Sequence, residues 1–562
     1  GGCVKVALRK FVQSVIEKAV AEGAVCAEAP RLLALEASKV AAHGDFSTTV
    51  ALLLAQYEKR PPRAVAAQWV ALIQAAPDYT QILEKVEIAG PGYINFFLKA
   101  ECGYRALLDM VREGADYGRS QRVDGPRVQI EFVSANPTGP LHVAHGRAAA
   151  LGDALANLLA AVGYDVHREY YINDIGNQTH MLGLSTYLRY RELFGEAITL
   201  PEEGYRGEYI IEIARAIQQA EGRRFLAGDA AAALPFFTAF ALKTTLEWIR
   251  RDMDGFGVRF DRWFSEQELG AETDAVLALL QTRGALYEKE GATWLVTTQC
   301  GDDKDRVAVR ADGRRTYFAS DIAYHRNKFE RGFDRLINIW GADHHGYIAR
   351  VKAAVALMGY APDRLVILLH QLVNLMRHGA PVPMSKRAGE FVTLQEVIEE
   401  VGVDATRFFF LMRRADTTLD FDLELAKKHS NENPVYYVQY AHARLCSILR
   451  VAASQGVDVA DTLKQTTPAD LARLTLPEEW AILRHLTAYP DLLCAAAEAL
   501  EPHRVVFYLQ ELAGMLHRYY FAHRIISDDP ILTRARLTLI VSVQTVLRNA
   551  LTLLGIRAPD QM

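Results

Sequence analysis

The chain has 562 residues, half of them hydrophobic and 23% charged, with a formal net charge of −5. That length suggests about three to four domains, and the composition suits well-filled globular cores rather than a disordered or fibrous chain. A net charge of −5 neither requires nor excludes a nucleic-acid partner, because a large protein can carry a local basic face while acidic overall.

No stretch reads as the ~20 apolar residues that would cross a bilayer. The N-terminus lacks the apolar run and cleavage site of a signal peptide. Cysteines stand at 3, 26, 102, 300, 446 and 494. None makes a C-x-x-C pair, so neither a zinc ribbon nor a redox dithiol is expected, and a reducing cytosol is the simplest setting.

Residues 1–115 read as a small domain. Leu8, Phe11, Val12, Val15 and Ala19 recur at helical spacing, and VEIAGPGYINFFL reads as paired strands around Gly90-Pro91-Gly92. GADYGRSQRVDGPR is polar and glycine-rich and reads as a linker. A strand follows, with Val128, Ile130 and Phe132 alternating with Arg127, Gln129 and Glu131. Then come the turn SANPTGP, a long Ala/Leu-rich helix from about His145 to Ala161, and a second strand, DVHREYYIND. Strand, glycine turn and helix open a nucleotide-binding α/β half.

Residues 116–402 read as that Rossmann-like domain, with a helix-rich insertion over about 181–300 and further strands at RLINIWG and RLVILLH. Residues 403–562 read as a helical domain. The expected fold class is multidomain α/β, with an α/β N-terminal domain and an α-helical bundle at the C-terminus.

His142 and His145 stand three apart at the mouth of the first helix, where backbone N–H groups already favour an anion. Two imidazoles there can donate hydrogen bonds to a triphosphate as charge shifts on its oxygens. Taken alone, H-x-x-H equally suits a metal or a plain helix start. Asp343, His344 and His345 in WGADHHGY follow a strand, where such folds contact ribose or adenine; metal binding is the alternative. Tyr317 and Asp321 stand one helical turn apart, so they can face one pocket; Glu131, Ser134 and Asn136 lie at the first strand's end, and Glu266 in FDRWFSEQEL is a further carboxylate. In NPVYYVQYAHARL, Tyr436, Tyr437, Tyr440, His442 and Arg444 offer ring faces and a cation for unstacked bases. HRYYFAHR at 517–524 is a further aromatic and basic cluster.

NPTGPLHVAHGR resembles the HIGH signature of class I aminoacyl-tRNA synthetases, in the form seen in arginyl enzymes. Ala144 stands where that signature carries glycine. Pro383-Met384-Ser385-Lys386-Arg387 resembles the KMSKS loop, with Pro383 in place of its first lysine. Asp404-Ala405-Thr406-Arg407 is close to the D-A-L-R signature of the arginyl anticodon-binding domain, and GDFSTTVALLLA and GPGYINFFL match its extra N-terminal domain.

The resemblance spans essentially the whole chain and implies an arginine-tRNA ligase. It implies that His142, His145 and Lys386 are catalytic. It also implies ATP contacts from Pro137, Thr138, Gly139, His142, His145, Gly146, Asp343, His344, Met384, Ser385 and Lys386. Glu131, Ser134, Asn136, Glu266, Tyr317 and Asp321 would hold arginine, and Tyr436, Tyr440 and Arg444 would touch tRNA. The implied cofactors are ATP and magnesium, without zinc. The implied setting is a cytoplasmic monomer away from membranes, with tRNA needed even for the first step.

Overall fold

The computed structural model describes residues 4–120, 124–383 and 391–562. At the N-terminus, the helix Val4–Ala21 buries Leu8, Phe11, Val12, Ile16 and Ala19, with Ile16 rather than Val15 completing the stripe. It packs with Trp69 and Ile73 against a four-stranded sheet that contains the hairpin Leu83–Ala89/Tyr93–Leu98. This is a core of its own.

The next helix, Ala100–Glu113, sends Leu107 and Met110 into the main core instead. The Tyr117 hydroxyl donates to Leu486 O at 2.8 Å, and Asn549 Nδ2 donates to Gly114 O at 2.9 Å. The start of the segment expected as a linker is therefore docked on the C-terminal helices.

The central sheet has five parallel strands: β1 (Arg127–Glu131), β2 (Asp165–Ile172), β3 (Arg262–Ser265), β4 (Arg335–Gly341) and β5 (Leu365–His370), in spatial order β5-β4-β1-β2-β3. The chain builds outward from β1 in one direction and then returns to build outward in the other. The switch point lies between β1 and β4, where open α/β sheets leave a crevice at the strands' carboxyl ends. β1 is covered on both faces. The alternation expected there fails because Gln129 is fully buried, its amide donating to Glu169 at 2.9 Å.

Helix α1 (Val143–Ala161) is buried almost all round, as its Ala, Gly and Leu content allows. It lies between the sheet and the C-terminal helices. Gly152 permits this fit: a Cβ there would stand 2.2 Å from the Phe132 ring.

Two expectations are corrected. The insertion read over 181–300 is helical through Asn177–Leu193, Glu208–Glu221 and Ala230–Gly255, which share a core around Tyr190 and Phe237, and again through Gly270–Thr282, but it also carries strands. Residues 262–265 are β3, an edge strand of the main sheet, and Leu286–Lys289, Ala292–Leu295 and Arg306–Val309 form a small antiparallel sheet. These strands are four residues long, too short for a period to stand out.

The C-terminal region is also not purely helical. Leu419–Asp422 pairs in parallel with Val373–Arg377, burying Leu419 and Phe421. The other described elements of that region are helices, including α2 (Val403–Leu411), α3 (Pro434–Ser454), His503–Ala522 and α4 (Pro530–Leu553). By length and composition α4 could cross a membrane, contrary to the sequence reading, but 56% of its most apolar stretch is buried inside the protein, as befits a core helix.

Gly152→Ala is expected to force Phe132 or α1 to shift, at a cost of about 1–3 kcal/mol. A thermal melt of the variant checks this; an unchanged midpoint would mean that the Phe132 ring yields freely.

Candidate active site

The loops after β1, β2, β3 and β4 border the candidate site. Directly after β1, Val133 and Ser134 have φ of 67° and 42°. Left-handed backbone on such residues costs on the order of 1–3 kcal/mol each and persists only where the surroundings enforce it. Here Ser134 Oγ donates to Glu131 at 2.8 Å and accepts the Tyr171 N–H at 3.1 Å. Helices of the insertion hold the rest of the turn. Thr245 Oγ1 donates to Pro137 O at 2.6 Å, and Tyr209 Oη donates to Thr138 O at 2.9 Å. At Gly139 a Cβ would stand 3.0 Å from the end of the Tyr209 side chain, which would have to give by a few tenths of an ångström. Gly146, expected near ATP, faces Leu394 and Phe410 instead; a Cβ there would meet them at 2.6 and 3.0 Å, so packing accounts for this glycine.

The histidine pair opens α1. His142 is the N-cap, and its backbone N–H donates to His145 Nδ1 at 3.0 Å. That bond leaves the proton of a neutral His145 on Nε2, free to donate outward. Burial first, then nearby His142 and His370, push the His145 pKa down to about 3, so it is neutral at physiological pH. The two rings stack with centroids 5.2 Å apart.

Met384, Ser385 and Lys386 lie outside the described residues. The chain beyond them docks on the pair: the Phe391 ring lies 4.9 Å from His142, Thr393 bridges to His142, and Leu394 N donates to Leu141 O at 2.9 Å. Asp343 and His344 are exposed on the turn Ala342–Tyr347 after β4. With His345 they form no three-ligand metal cluster among the described residues.

Beside these groups is a nest of carboxylates. Glu266 is 8% exposed; burial first, then the charge of Asp321, push its pKa up to about 7. Asp321 is pushed up to about 6 by burial, partly offset by the Tyr347 hydroxyl, which donates to it at 2.6 Å. Asn173, with its amide turned to satisfy both neighbours, donates to Glu266 and to Ile175 O. Glu131 is already engaged: buried Lys328 donates to it at 2.7 Å and to Asn338 at 2.9 Å. The charge of Asp321 raises Glu266 and that of Glu131 raises Asp321, so the nest calls for a cation; Lys328, hydrogen-bonded to Glu131, offsets Asp321 only in part.

Tyr317 does not share the Asp321 pocket as its spacing suggested. It is 58% exposed, and its hydroxyl lies 3.1 Å from where a Gly176 Cβ would sit. The hydroxyl on Asp321 comes from Tyr347, which the sequence reading had left in a nucleotide loop. Asn136 is exposed on the turn. Tyr171, Asn173 and Lys328 were also missed, although YYIND ends a parallel strand and could have been searched by the carboxyl-end rule.

In the helical region, Tyr436 and Tyr440 stack with centroids 5.6 Å apart. The Arg444 guanidinium lies over Tyr440 at 4.7 Å, Tyr520 at 4.3 Å and Phe521 at 4.9 Å, and donates to His517 Nδ1 at 2.8 Å. The two aromatic-basic stretches thus form one surface, on a cavity of about 630 Å³ that Arg450 and Arg524 also line. His442 is buried in the bundle instead.

A parallel sheet with paired histidines at its switch point, beside a helical domain with an aromatic and basic face, defines a class I aminoacyl-tRNA synthetase. The family model "tRNA synthetases class I (R), catalytic domain" matches residues 108–195 and 252–418, and the gap takes in the helix Glu208–Glu221 and most of Ala230–Gly255. "Arginyl tRNA synthetase N terminal domain" matches 7–98 and "DALR anticodon binding domain" matches 438–562.

The chain is 54% identical to an arginine–tRNA ligase of Syntrophotalea carbinolica over 94% of each chain, and 51% identical to one of Citrifermentans bemidjiense over 100% of each. The Thermus thermophilus arginyl-tRNA synthetase structure shares the fold, with a TM-score of 0.75 at 24% identity, covering 99% of this chain and 100% of that one. The chain belongs to the arginyl-tRNA synthetase family, the arginine–tRNA ligases.

A guanidinium pairs with carboxylates only when they are ionised. Arginine affinity is therefore expected to rise with pH through the window from about 6 to about 7 set by Asp321 and Glu266, and to level off above it. Tyr347→Phe removes a bond that favours the Asp321 carboxylate, so the rise should move to higher pH. Calorimetric titration with arginine across this range checks both; flat affinity would contradict the site.

Proposed function

We propose that the protein activates L-arginine with ATP to arginyl-adenylate and passes the arginyl group to the 3′-terminal ribose of tRNA(Arg), releasing pyrophosphate and AMP. The observation that carries this reading is the Glu266–Asp321 carboxyl pair, short of a cation and at the same sheet edge as the His142–His145 pair. Asp321, steadied by Tyr347, and Glu266 receive the guanidinium. Asn136 faces the amino acid's α-amino group, with Glu131, fixed by Lys328, and Ser134 behind it. Tyr317 stands at the rim.

His142 and neutral His145 donate to the phosphate oxygens. The turn at Pro137, Thr138 and Gly139, with Asp343 and His344, borders the nucleotide. By the signature match, Met384, Ser385 and Lys386 close on the triphosphate, with Lys386 on the departing pyrophosphate. ATP is taken as its magnesium complex, and no zinc takes part in the reaction. Holding both partners in one crevice supplies much of the rate, because each step joins bound reactants.

Tyr436, Tyr440 and Arg444, joined by Tyr520 and Phe521, present ring faces and a cation to unstacked anticodon bases. The division of labour follows the sequence bounds, 1–115 for the tRNA-contacting N-terminal part, 116–402 for catalysis and 403–562 for the anticodon, except that the helix Ala100–Glu113 packs with the main core rather than the N-terminal one. The protein works as a cytoplasmic monomer without membrane attachment.

His145→Ala is expected to slow adenylate formation by about 3 kcal/mol of barrier, because its bond strengthens as charge builds on the phosphate, while arginine affinity stays put. ATP–pyrophosphate exchange with tRNA present, beside equilibrium binding, separates the two effects; an unchanged exchange rate removes His145 from the mechanism.

Asp321→Asn keeps the shape and removes the charge, so arginine binding should weaken by several kcal/mol, on the order of 2–5, with ATP binding intact. Citrulline binding the unaltered protein as tightly as arginine would refute the charge reading.

A further inference from the structure

Away from the catalytic crevice, α3 carries His442 and Cys446 one helical turn apart, on the same face. Both are buried, His442 completely. The chain's last described residues fold back across them. His442 Nδ1 lies 3.7 Å from Cys446 Sγ, Cys446 Sγ lies 3.6 Å from Asp560 Oδ1, and the three ligand atoms all fall within 4.8 Å of one another. Pro559 O stands 2.9 Å from His442 Nδ1, and Gln544 Nε2 donates to Cys446 Sγ at 3.2 Å.

The two separations from sulfur, 3.7 and 3.6 Å, have the size of the edges of a tetrahedral zinc site. Bond lengths of about 2.3 Å to sulfur and about 2.0–2.2 Å to nitrogen and oxygen put neighbouring ligands roughly 3.5 Å apart. We propose that His442, Cys446 and Asp560 form a structural zinc site, with the Pro559 carbonyl or a water as the fourth ligand.

The donor set selects the metal. One thiolate, one imidazole and one carboxylate suit a borderline-soft ion, whereas magnesium and calcium take all-oxygen shells. Thiolate and carboxylate together balance a dication. Binding sends the Cys446 thiol proton to solvent, and the His442 proton moves from Nδ1 to Nε2. At present Nδ1–H donates to Pro559 O, so the ion takes the place of that bond, and Nε2, buried without a hydrogen-bond partner, receives the proton. The Gln544 amide, already aimed at the sulfur, steadies the thiolate from behind.

Sequence spacing gave no hint of this site, because its third ligand comes from the far end of the domain. The ion pins Pro559 and Asp560 to α3. The next residues, Gln561 and Met562, line the same cavity as Arg444. The site thus holds one wall of the aromatic and basic surface and takes no part in the charging chemistry.

The full chain, stripped with a chelator and titrated with cobalt(II) alone, should bind one equivalent and develop a thiolate-to-cobalt charge-transfer band that zinc then abolishes by displacement. Cys446→Ser should remove the band. Asp560→Asn, at an exposed position, should weaken cobalt binding by at least about tenfold, the cost of losing even an outer-shell partner. Cys494→Ser, on an exposed cysteine, should change neither. No thiolate band, or a band that survives Cys446→Ser, overturns the site. Should Cys446→Ser fail to fold, Asp560→Asn decides: affinity equal to that of Cys494→Ser also overturns it.

Discussion

The carboxylate of Asp153 organises the molecule. It sits inside α1, 4% exposed, and is gripped from two sides by Arg168 of β2 and Arg407 of α2. Arg407 is fully buried; its remaining N–H groups donate to Phe256 O at 3.0 Å and Leu554 O at 2.9 Å. Gly555 leaves room for it, since a Cβ there would lie 2.2 Å from the guanidinium. One carboxylate therefore ties together the helix that begins with the histidine pair, the central sheet, the end of the insertion and the last helix. A buried pair of this kind adds little net stability over an apolar replacement, but leaving one partner alone costs about 3–5 kcal/mol. Its value is geometric.

That grip also explains the Asp404-Ala405-Thr406-Arg407 signature. Arg407 faces inward, and Asp404 accepts from the Arg557 backbone and side chain and from Gln439. Thr406, where the family pattern has leucine, is buried with its hydroxyl returned to Gly402 O at 2.7 Å, so its polarity is spent locally. The signature is a joint between two domains, and the surface suited to RNA lies further along α3.

Most of the architecture was legible because it follows local rules. Strand, glycine turn and helix at 127–161, the hairpin near Gly92 and the long helical repeats all announce themselves by period. Residues 262–265 and 419–422 did not, since a four-residue strand is defined by its partner across the sheet. Gln129 broke the alternation because a strand covered on both faces can bury a polar side chain once Glu169 satisfies it. In the crevice, the chemistry of the carboxylates was readable but their partners were not. Tyr317 and Asp321 share a helix, yet the hydroxyl that reaches Asp321 arrives from Tyr347 on another loop. Lys328, which fixes Glu131, sits on a helix face with Asp321, Tyr324 and His325, and nothing in the spacing says which carboxylate it meets. The nucleotide side shows the complementary limit: the tautomer of His145 depends on a backbone N–H three residues back, a contact that follows from the cap geometry and not from residue type.

The docking of Ala100–Glu113 on the C-terminal helices bears on how the chain comes together during synthesis. The N-terminal domain closes around Trp69 and Phe96 using only its own residues, so it can fold as soon as it leaves the ribosome. The helix that follows cannot. Tyr117 waits for Leu486, and Gly114 waits for Asn549, partners made 369 and 435 residues later. Until then Leu107 and Met110 have no core to enter, and contacts of such sequence separation form slowly. The two ends of the catalytic and helical regions therefore meet last, which makes this seam the step most exposed to misassembly on the way to the native fold.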